Sequence, residues 1–320
     1  MTVSILLACY NGEKFLREQL DSILNQDFQD FILYISDDGS SDGTEKIISE
    51  YSAKDKRIKV FARHAPKKSA CRHFLYMLEN VESSLFLFCD QDDEWTENHI
   101  SELLKKYERL SEKQKKAPVL IHSDLAVVDQ NLGLVSESFF DYALIERHPR
   151  HKHFYFLENN VTGGVMLINS ALKEYVFRNK KSLEENFHRI PMHDQFFALV
   201  ANYFGIVLFV EKKLEYYRQH SNNVVGAKNV RSFKNCFRKL FDLDDVWLKK
   251  GTGLASFFLD YYSDLIPEKE NLILHQFLGI GQMSRFSAIR FIIKNDFLKE
   301  NKKRQLLQIL SILLRRKTND

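Results

Sequence analysis

The sequence predicts an α/β fold: a mainly parallel central sheet in an αβα sandwich, followed by a helical C-terminal segment. Three observations carry this. Val3–Ala8 and Leu85–Cys89 are short apolar runs with no polar alternation, the pattern of strands buried on both faces. Segments with apolar residues at helical spacing separate such runs, the alternation of a doubly wound sheet. Polar or acidic groups end one strand after another, on the edge where open α/β sheets bind their ligands.

In chain order, Val3–Ala8 ends in Cys9-Tyr10-Asn11-Gly12, where Asn11 is the expected N-cap of a helix. Phe15, Leu16, Leu20, Ile23 and Leu24 share one face of that helix. Phe31–Ile35 is the second strand and ends in Ser36-Asp37-Asp38-Gly39-Ser40. Asp42 with Glu45 then predicts a capping box for a helix through Ile47 and Ile48. Ile58–Phe61 is a third strand, and Cys71, Phe74, Leu75, Leu78 and Val81 mark the next helix face. Leu85–Cys89 stops at Asp90, Asp92 and Asp93, ahead of a helix from about Glu97 to Leu110 and a solvated lysine-rich end, Lys105–Lys116. Val119–His122 is a strand leading to Ser123-Asp124, whereas Asp129–Phe156 shows no clear period and reads as a long loop carrying short elements. Asn159-Asn160-Val161-Thr162-Gly163-Gly164 precedes the apolar Val165–Ile168. Adjacent glycines there permit a positive φ or a close backbone approach to a ligand; a bulge or plain turn is the alternative. His193-Asp194 heads a helix with Phe196, Phe197, Leu199 and Val200. Ile206–Val210 and Leu214–Tyr217 close the sheet before Arg218-Gln219-His220-Ser221-Asn222-Asn223.

After Gly226 strand signals vanish. Val230–Leu240, Leu254–Ile266, Phe286–Phe297 and Leu306–Leu314 carry helical spacing, so the expected division is 1–226 and 227–320. The net charge of +3 hides an asymmetry: residues 228–320 hold 18 Lys+Arg against 10 Asp+Glu. In Lys302–Lys317, leucines 306, 307, 310, 313 and 314 lie against Lys302, Lys303, Arg304, Arg315, Arg316 and Lys317. Such a helix suits an anionic membrane surface, and equally suits packing on the domain or on a second subunit of a homo-oligomer. No aromatic stacking platform or basic-groove motif accompanies the charge, so nucleic acid is not an expected partner. With 44% apolar and 28% charged residues, long disorder is not expected. No run approaches the ~20 apolar residues of a membrane span, and the N-terminus lacks the pattern of a cleaved leader. Cys9, Cys71, Cys89 and Cys236 show no CxxC spacing, as for reduced thiols in a cytoplasmic protein.

The chemistry is expected at Asp90, Asp92 and Asp93. Adjacent carboxylates repel, so a cation is implied, and hard ions such as Mg²⁺ or Mn²⁺ bridge one or two carboxylates to substrate phosphates. The competing reading is an acidic turn capping the next helix.

Taken together, ACYNGEKFLREQLDSILNQ, SDDGSSDGT, DQDDEW, NNVTGG, HDQFF and YRQHSNN, in this order, resemble glycosyltransferase family 2, and most of all its bacterial rhamnosyltransferase branch, which builds cell-surface polysaccharides. The resemblance covers about residues 1–226 and implies a GT-A fold, an inverting hexosyl transfer, and a Mn²⁺ or Mg²⁺ cofactor. It implies that Ala8 and Tyr10 line the nucleotide base, that Asp38 hydrogen-bonds it and that Asp37 sits beside it. Asp90 and Asp92 match the DxD-type pair around Gln91, with Asp92 the direct metal ligand and Asp90 nearer the ribose or a metal-bound water. Asp194 matches the catalytic base, His220 a basic or metal-binding group facing the diphosphate, and Thr162-Gly163-Gly164 a turn bordering the donor sugar or the acceptor. Two departures stand out: the branch usually has TGC at the glycine turn and aromatic residues directly after the base, where this chain has Gly164 and Gln195.

The mechanism implied is single displacement. Negative charge grows on the departing phosphate oxygen and is met by the cation, with His220 and a cationic side chain, Arg72 or Arg218, beside it. Asp194, flanked by Ile190, Met192 and Phe196, takes the acceptor proton, a contribution typically of ~10²–10⁴ in rate. The expected reaction moves L-rhamnose from dTDP-rhamnose to a growing, lipid-linked glycan at the inner face of the cell membrane. The alternatives are a UDP-sugar donor, such as UDP-galactose or UDP-N-acetylglucosamine, and a non-catalytic nucleotide-sugar-binding subunit. A sugar-nucleotide pyrophosphorylase is disfavoured, because Ala8–Gly12 holds one glycine and no arginine.

Overall fold

The computed structural model describes residues 2–62, 69–220 and 246–314. The Ser221-Asn222-Asn223 string, the helix expected at Val230–Leu240, Cys236, the boundary at Gly226 and the terminal Arg315, Arg316 and Lys317 lie outside them. The described chain runs β1 (Val3–Cys9), α1 (Leu16–Leu24), β2 (Ile32–Asp37), α2 (Thr44–Lys54), β3 (Ile58–Val60), α3 (Ala70–Asn80), β4 (Leu85–Asp90), β5 (Glu94–Trp95), α4 (His99–Glu108), α5 (Glu112–Lys115), β6 (Val119–Val128), β7 (Leu134–Ser136), α6 (Phe139–Ala143) and α7 (Phe154–Leu157). It continues through β8 (Met166–Asn169), α8 (Ser170–Val176), α9 (Lys180–Asn186), α10 (His193–Phe204), β9 (Ile206–Arg218), α11 (Val246–Tyr262), α12 (Glu268–Leu278), α13 (Arg285–Lys294) and α14 (Lys302–Leu314).

One sheet, in the order β3-β2-β1-β4-β8-β6-β9-β5 with β7 on β6, organises the first unit. The β3-β2-β1-β4 half is parallel; β8 runs antiparallel between β4 and β6, so β6 and β9 again point the way of β1 and β4. Leu85–Cys89 is fully buried, which explains the all-apolar run: a central strand covered on both faces has no solvent side to alternate with. Helix α1 buries Leu16, Leu20 and Ile23 on the apolar cluster formed with Ile5, Leu33 and Leu87. Cys9, Cys71 and Cys89 are buried free thiols.

Local expectations fail at four places. Asn11 does not cap α1; it takes φ 49° in the loop, and its Oδ1 accepts from the Ser41 N–H at 2.8 Å. Asp42 forms no box with Glu45; its carboxylate accepts from the Thr44 and Glu13 N–H groups, each at 3.1 Å, joining two loops. The two closing strands are one long β9, bulged where its pairing with β6 shifts near Asp124. The long loop after Asp129 does carry short elements, while α8, α9 and α12 had no reading at all. Among the described residues no helix is long and apolar enough to cross a membrane.

The chain divides into two compact units: 1–142 with 161–178 and 192–227, and 143–160 with 179–191 and 228–320. The second unit thus takes in two internal segments besides the C-terminal helices. Its core is aromatic. His153 stacks on Phe297 at 4.0 Å between centroids, and Phe297 stacks on Phe277 at 4.1 Å. The His153 ring meets the Asn295 carbonyl through Nδ1 and the Glu270 carboxylate through Nε2, both at 2.6 Å. Glu270 is buried but also accepts from Lys152. Burial pushes its pKa up, yet the bonds from His153 and Lys152 outweigh it and hold the carboxyl down at about 2.

A carboxylate held below its ordinary pKa contributes stability above the unfolded value and loses it as pH falls through the folded one. The Glu270→Gln chain is therefore expected to melt below wild type at neutral pH, with the gap narrowing as pH falls from about 4.5 towards about 2. Thermal melts followed by circular dichroism across that window check it; a gap that does not change with pH contradicts it.

Candidate active site

The carboxyl ends of three parallel strands meet in register. Cys9 pairs with Asp37 across β1 and β2, and Ala8 pairs with Asp90 across β1 and β4. The loops leaving these strands are laced together. The Asp38 N–H donates to the Cys9 carbonyl at 2.9 Å. The Asn11 N–H donates to Ser40 Oγ at 2.8 Å, and Ser40 in turn donates to the Asp37 carboxylate, through its N–H at 3.0 Å and through its hydroxyl. The Gln91 amide takes both sides of the Tyr10 backbone, accepting from its N–H and donating to its carbonyl, each at 2.8 Å. A side chain at Gly12 would collide with that amide, since its Cβ would lie 2.2 Å from Oε1. Asp38 is buried, Ala8 is partly buried, and Tyr10 is 59% exposed beside them. His73 on α3 is also buried, with Nε2 2.7 Å from Ser36 Oγ.

The acidic turn after β4 is held from β9. The buried Arg218 donates its backbone N–H to Asp93 Oδ1 at 2.8 Å, and its side chain to the Asp92 carbonyl at 2.9 Å, the Gln130 carbonyl at 3.0 Å and Glu18 at 2.5 Å. Two residues on, His220 Nε2 lies 2.7 Å from Asp92 Oδ2, with its ring 5.1 Å from Phe15. Phe15 also carries the Arg218 guanidinium at 4.6 Å, so one aromatic ring seats both side chains.

Asp194 lies in the first turn of α10. Its carboxylate is near enough to act on Asp90: burial first, then Asp92 and Asp194, push the Asp90 pKa up to about 7. Asp194 and His220, both about a hundred residues or more from Asp90 and Asp92 in the sequence, are thus brought to the same region as that pair. The same neighbourhood holds Cys71 at the start of α3, which accepts from the His193 backbone N–H and feels both Asp194 and Arg72.

Glu215 escaped the sequence reading. It is buried opposite Trp95, whose Nε1 donates to it at 3.2 Å. Burial raises its pKa and that of Asp93, and each of these carboxyls is raised further by other members of the acidic group. The only sequence signal was an acid inside a strand. Glu215 also explains the glycine turn. Neither Gly163 nor Gly164 has a positive φ; a Cβ at Gly164 would lie 2.3 Å from Glu215 Oε2, and one at Gly163 would lie 3.1 Å from His193 Nε2. The close approach foreseen there is to protein side chains. Thr162 is half-buried at the head of this turn.

Among the described residues no three His, Cys, Asp or Glu side chains converge as a metal cage, so the expected triad of Asp90, Asp92 and His220 is not assembled around one point. The residues nevertheless fit a Mg²⁺-type ion, which takes one or two carboxylates and completes its shell with phosphate and water. Asp90, whose proton is retained by burial and then by the negative charge of Asp92 and Asp194, marks a place where a cation would relieve repulsion.

A mainly parallel sheet with loops laced at its carboxyl edge and acids gathered there has the arrangement of a GT-A type α/β fold. Residues 4–114, about a third of the chain, match the family model described as glycosyl transferase family 2, and with the relatives that follow this makes the chain a glycosyltransferase. It is 26% identical over 260 residues to dTDP-rhamnosyl transferase RfbG of Shigella flexneri, covering 76% of this chain and 81% of that one. It is 23% identical over 295 residues to the putative glycosyltransferase EpsH of Bacillus subtilis, covering 90% and 81%. Its fold is similar to that of S. aureus TarS 1–349 in complex with UDP-GlcNAc, with a TM-score of 0.50 at 19% identity over 92% of this chain and 89% of that one.

Gly164→Ala is expected to destabilise the chain by ~1–3 kcal/mol through overpacking, and to cost clearly less when Glu215 is also alanine. Urea unfolding of the two single variants and the double variant measures the coupling; strictly additive effects would contradict the steric account.

Proposed function

We propose that the chain is an inverting, metal-dependent glycosyltransferase that moves L-rhamnose from dTDP-rhamnose to a growing, lipid-linked cell-surface polysaccharide. The observation that carries the chemistry is the electrostatic proximity of Asp194 to Asp90, at the strand end that also carries Asp92. One carboxylate set suits a cation and a diphosphate, and a separate one on α10 suits the proton of the acceptor. The name of the Shigella relative supports the donor. The structure of TarS with UDP-GlcNAc keeps a UDP-sugar as the second reading.

In this reading Ala8, Tyr10, Asp37 and Asp38 form the nucleotide end of the site, with Arg72 beside the diphosphate and Thr162-Gly163 beside the sugar. Gln91 acts by holding Tyr10 against the acidic turn. Asp92, with Asp90 beside it, would hold Mn²⁺ or Mg²⁺, which when bound supplies positive charge against the departing diphosphate. His220, held against Asp92, offers a further donor to that phosphate. Asp194 accepts the proton of the acceptor hydroxyl as it attacks the anomeric carbon from the face opposite the leaving group, so a single displacement inverts that centre. The placement is cytoplasmic, with peripheral contact at the inner membrane face through the C-terminal helices.

Turnover of dTDP-rhamnose and UDP-sugars, with and without Mn²⁺, tests the proposal in wild type, Asp92→Asn and Asp194→Asn. Asp194→Asn is expected to lose ~10²–10⁴ in kcat while donor binding, read by calorimetry, is retained. Asp92→Asn is expected to lose the metal-dependent part of donor binding. Unchanged turnover in both variants sinks the mechanism, and turnover confined to UDP-sugars replaces the donor.

A further inference from the structure

The second unit carries an exposed face that the transfer chemistry does not use. Helix α13 reads RFSAIRFIIK and contains no acid. It buries Ala288, Phe291 and Ile292 and turns a different stripe outward. Phe286 is 80% exposed and Ile293 is 52% exposed, and these two positions, seven apart, fall on one side of the helix. Arg285, Arg290 and Lys294 are exposed around them. Next along the chain, α14 opens with the same combination, exposed Lys302 and Lys303 followed by exposed Leu306.

We infer that this face of α13 docks the chain on an anionic lipid bilayer. Large apolar side chains that insert to a shallow depth, ringed by cations and free of acids, match the chemistry of an interface-lying helix on negatively charged headgroups. Charge complementarity selects this occupant over a second copy of the chain, because two copies meeting through the same face would oppose like charges. The inference deepens the membrane placement proposed above. It is independent of the donor and of the metal, so its failure leaves the transferase reading intact.

The test is co-sedimentation of the full chain with phosphatidylglycerol vesicles and with phosphatidylcholine vesicles, in low and high salt. Wild type is expected to bind the anionic vesicles and to be released by salt. The Arg285→Glu/Arg290→Glu/Lys294→Glu chain is expected to partition at least ~100-fold more weakly, at about a factor of five to ten per cation. Phe286→Ser/Ile293→Ser is also expected to weaken binding, while both variants keep wild-type donor turnover on a soluble acceptor. No binding by wild type to anionic vesicles overturns the inference. So does binding that both variants retain, or a Phe286-dependent dimer in light scattering, which would assign the face to a second copy.

Discussion

Like charge gathered at the carboxyl ends of parallel strands is the constraint on which the first unit depends. Asp90, Asp92, Asp93 and Glu215 lie within electrostatic reach of one another and Asp194 within reach of Asp90, and two of them, Asp93 and Glu215, are buried. Buried carboxylates are costly unless they keep a proton, receive hydrogen bonds or meet a cation. The fold uses the first two means. Asp90 retains its proton to about pH 7. Arg218 and Trp95 donate to Asp93 and Glu215. His220 sits on Asp92. The charge that remains is what an incoming divalent ion and its diphosphate would balance, which couples the stability of this edge to its proposed ligands.

The loops around the acids are rigid for a related reason. Their polar side chains are spent on one another's backbones: Gln91 on Tyr10, Asn11 on Ser41, Ser40 on Asp37, Asp42 on Glu13 and Thr44. A surface assembled from mutual hydrogen bonds is preorganised, so a bound substrate need not pay to order it. Gly164 belongs to the same economy of space. The rhamnosyltransferase-like branch carries a cysteine at this point of its turn, but here the Glu215 carboxylate occupies the volume that a side chain would need.

The strand ends were legible in the sequence because their chemistry is local: an apolar run that stops at an acid announces both the strand and the edge. Asp90 and Asp92 were singled out for that reason, whereas Asp194 and His220 were singled out through the motif order of the family resemblance. Helix starts were legible only in part. Asn11 and Asp42 have the right chemistry for caps, yet neighbouring loops claimed them, and tertiary competition of this kind leaves no trace in local spacing. Glu215 and the full burial of Arg218 were illegible because both follow from the pairing of β9 with β5 and β6, partners more than eighty residues away in sequence. The exposed stripe of α13 was hidden for the opposite reason. Its apolar residues on two faces read as one helix, and only packing separates the buried Phe291 from the exposed Phe286.

A crystal structure of the full chain grown with Mn²⁺ and a nucleoside diphosphate tests the central claim most directly, through the anomalous signal of the metal. The account predicts one strong peak at roughly 2.1 Å from a carboxylate oxygen of Asp92, with the diphosphate completing the shell and Asp194 facing the open side of the pocket. A metal bound away from Asp92, or a diphosphate seated on another edge of the sheet, would contradict it.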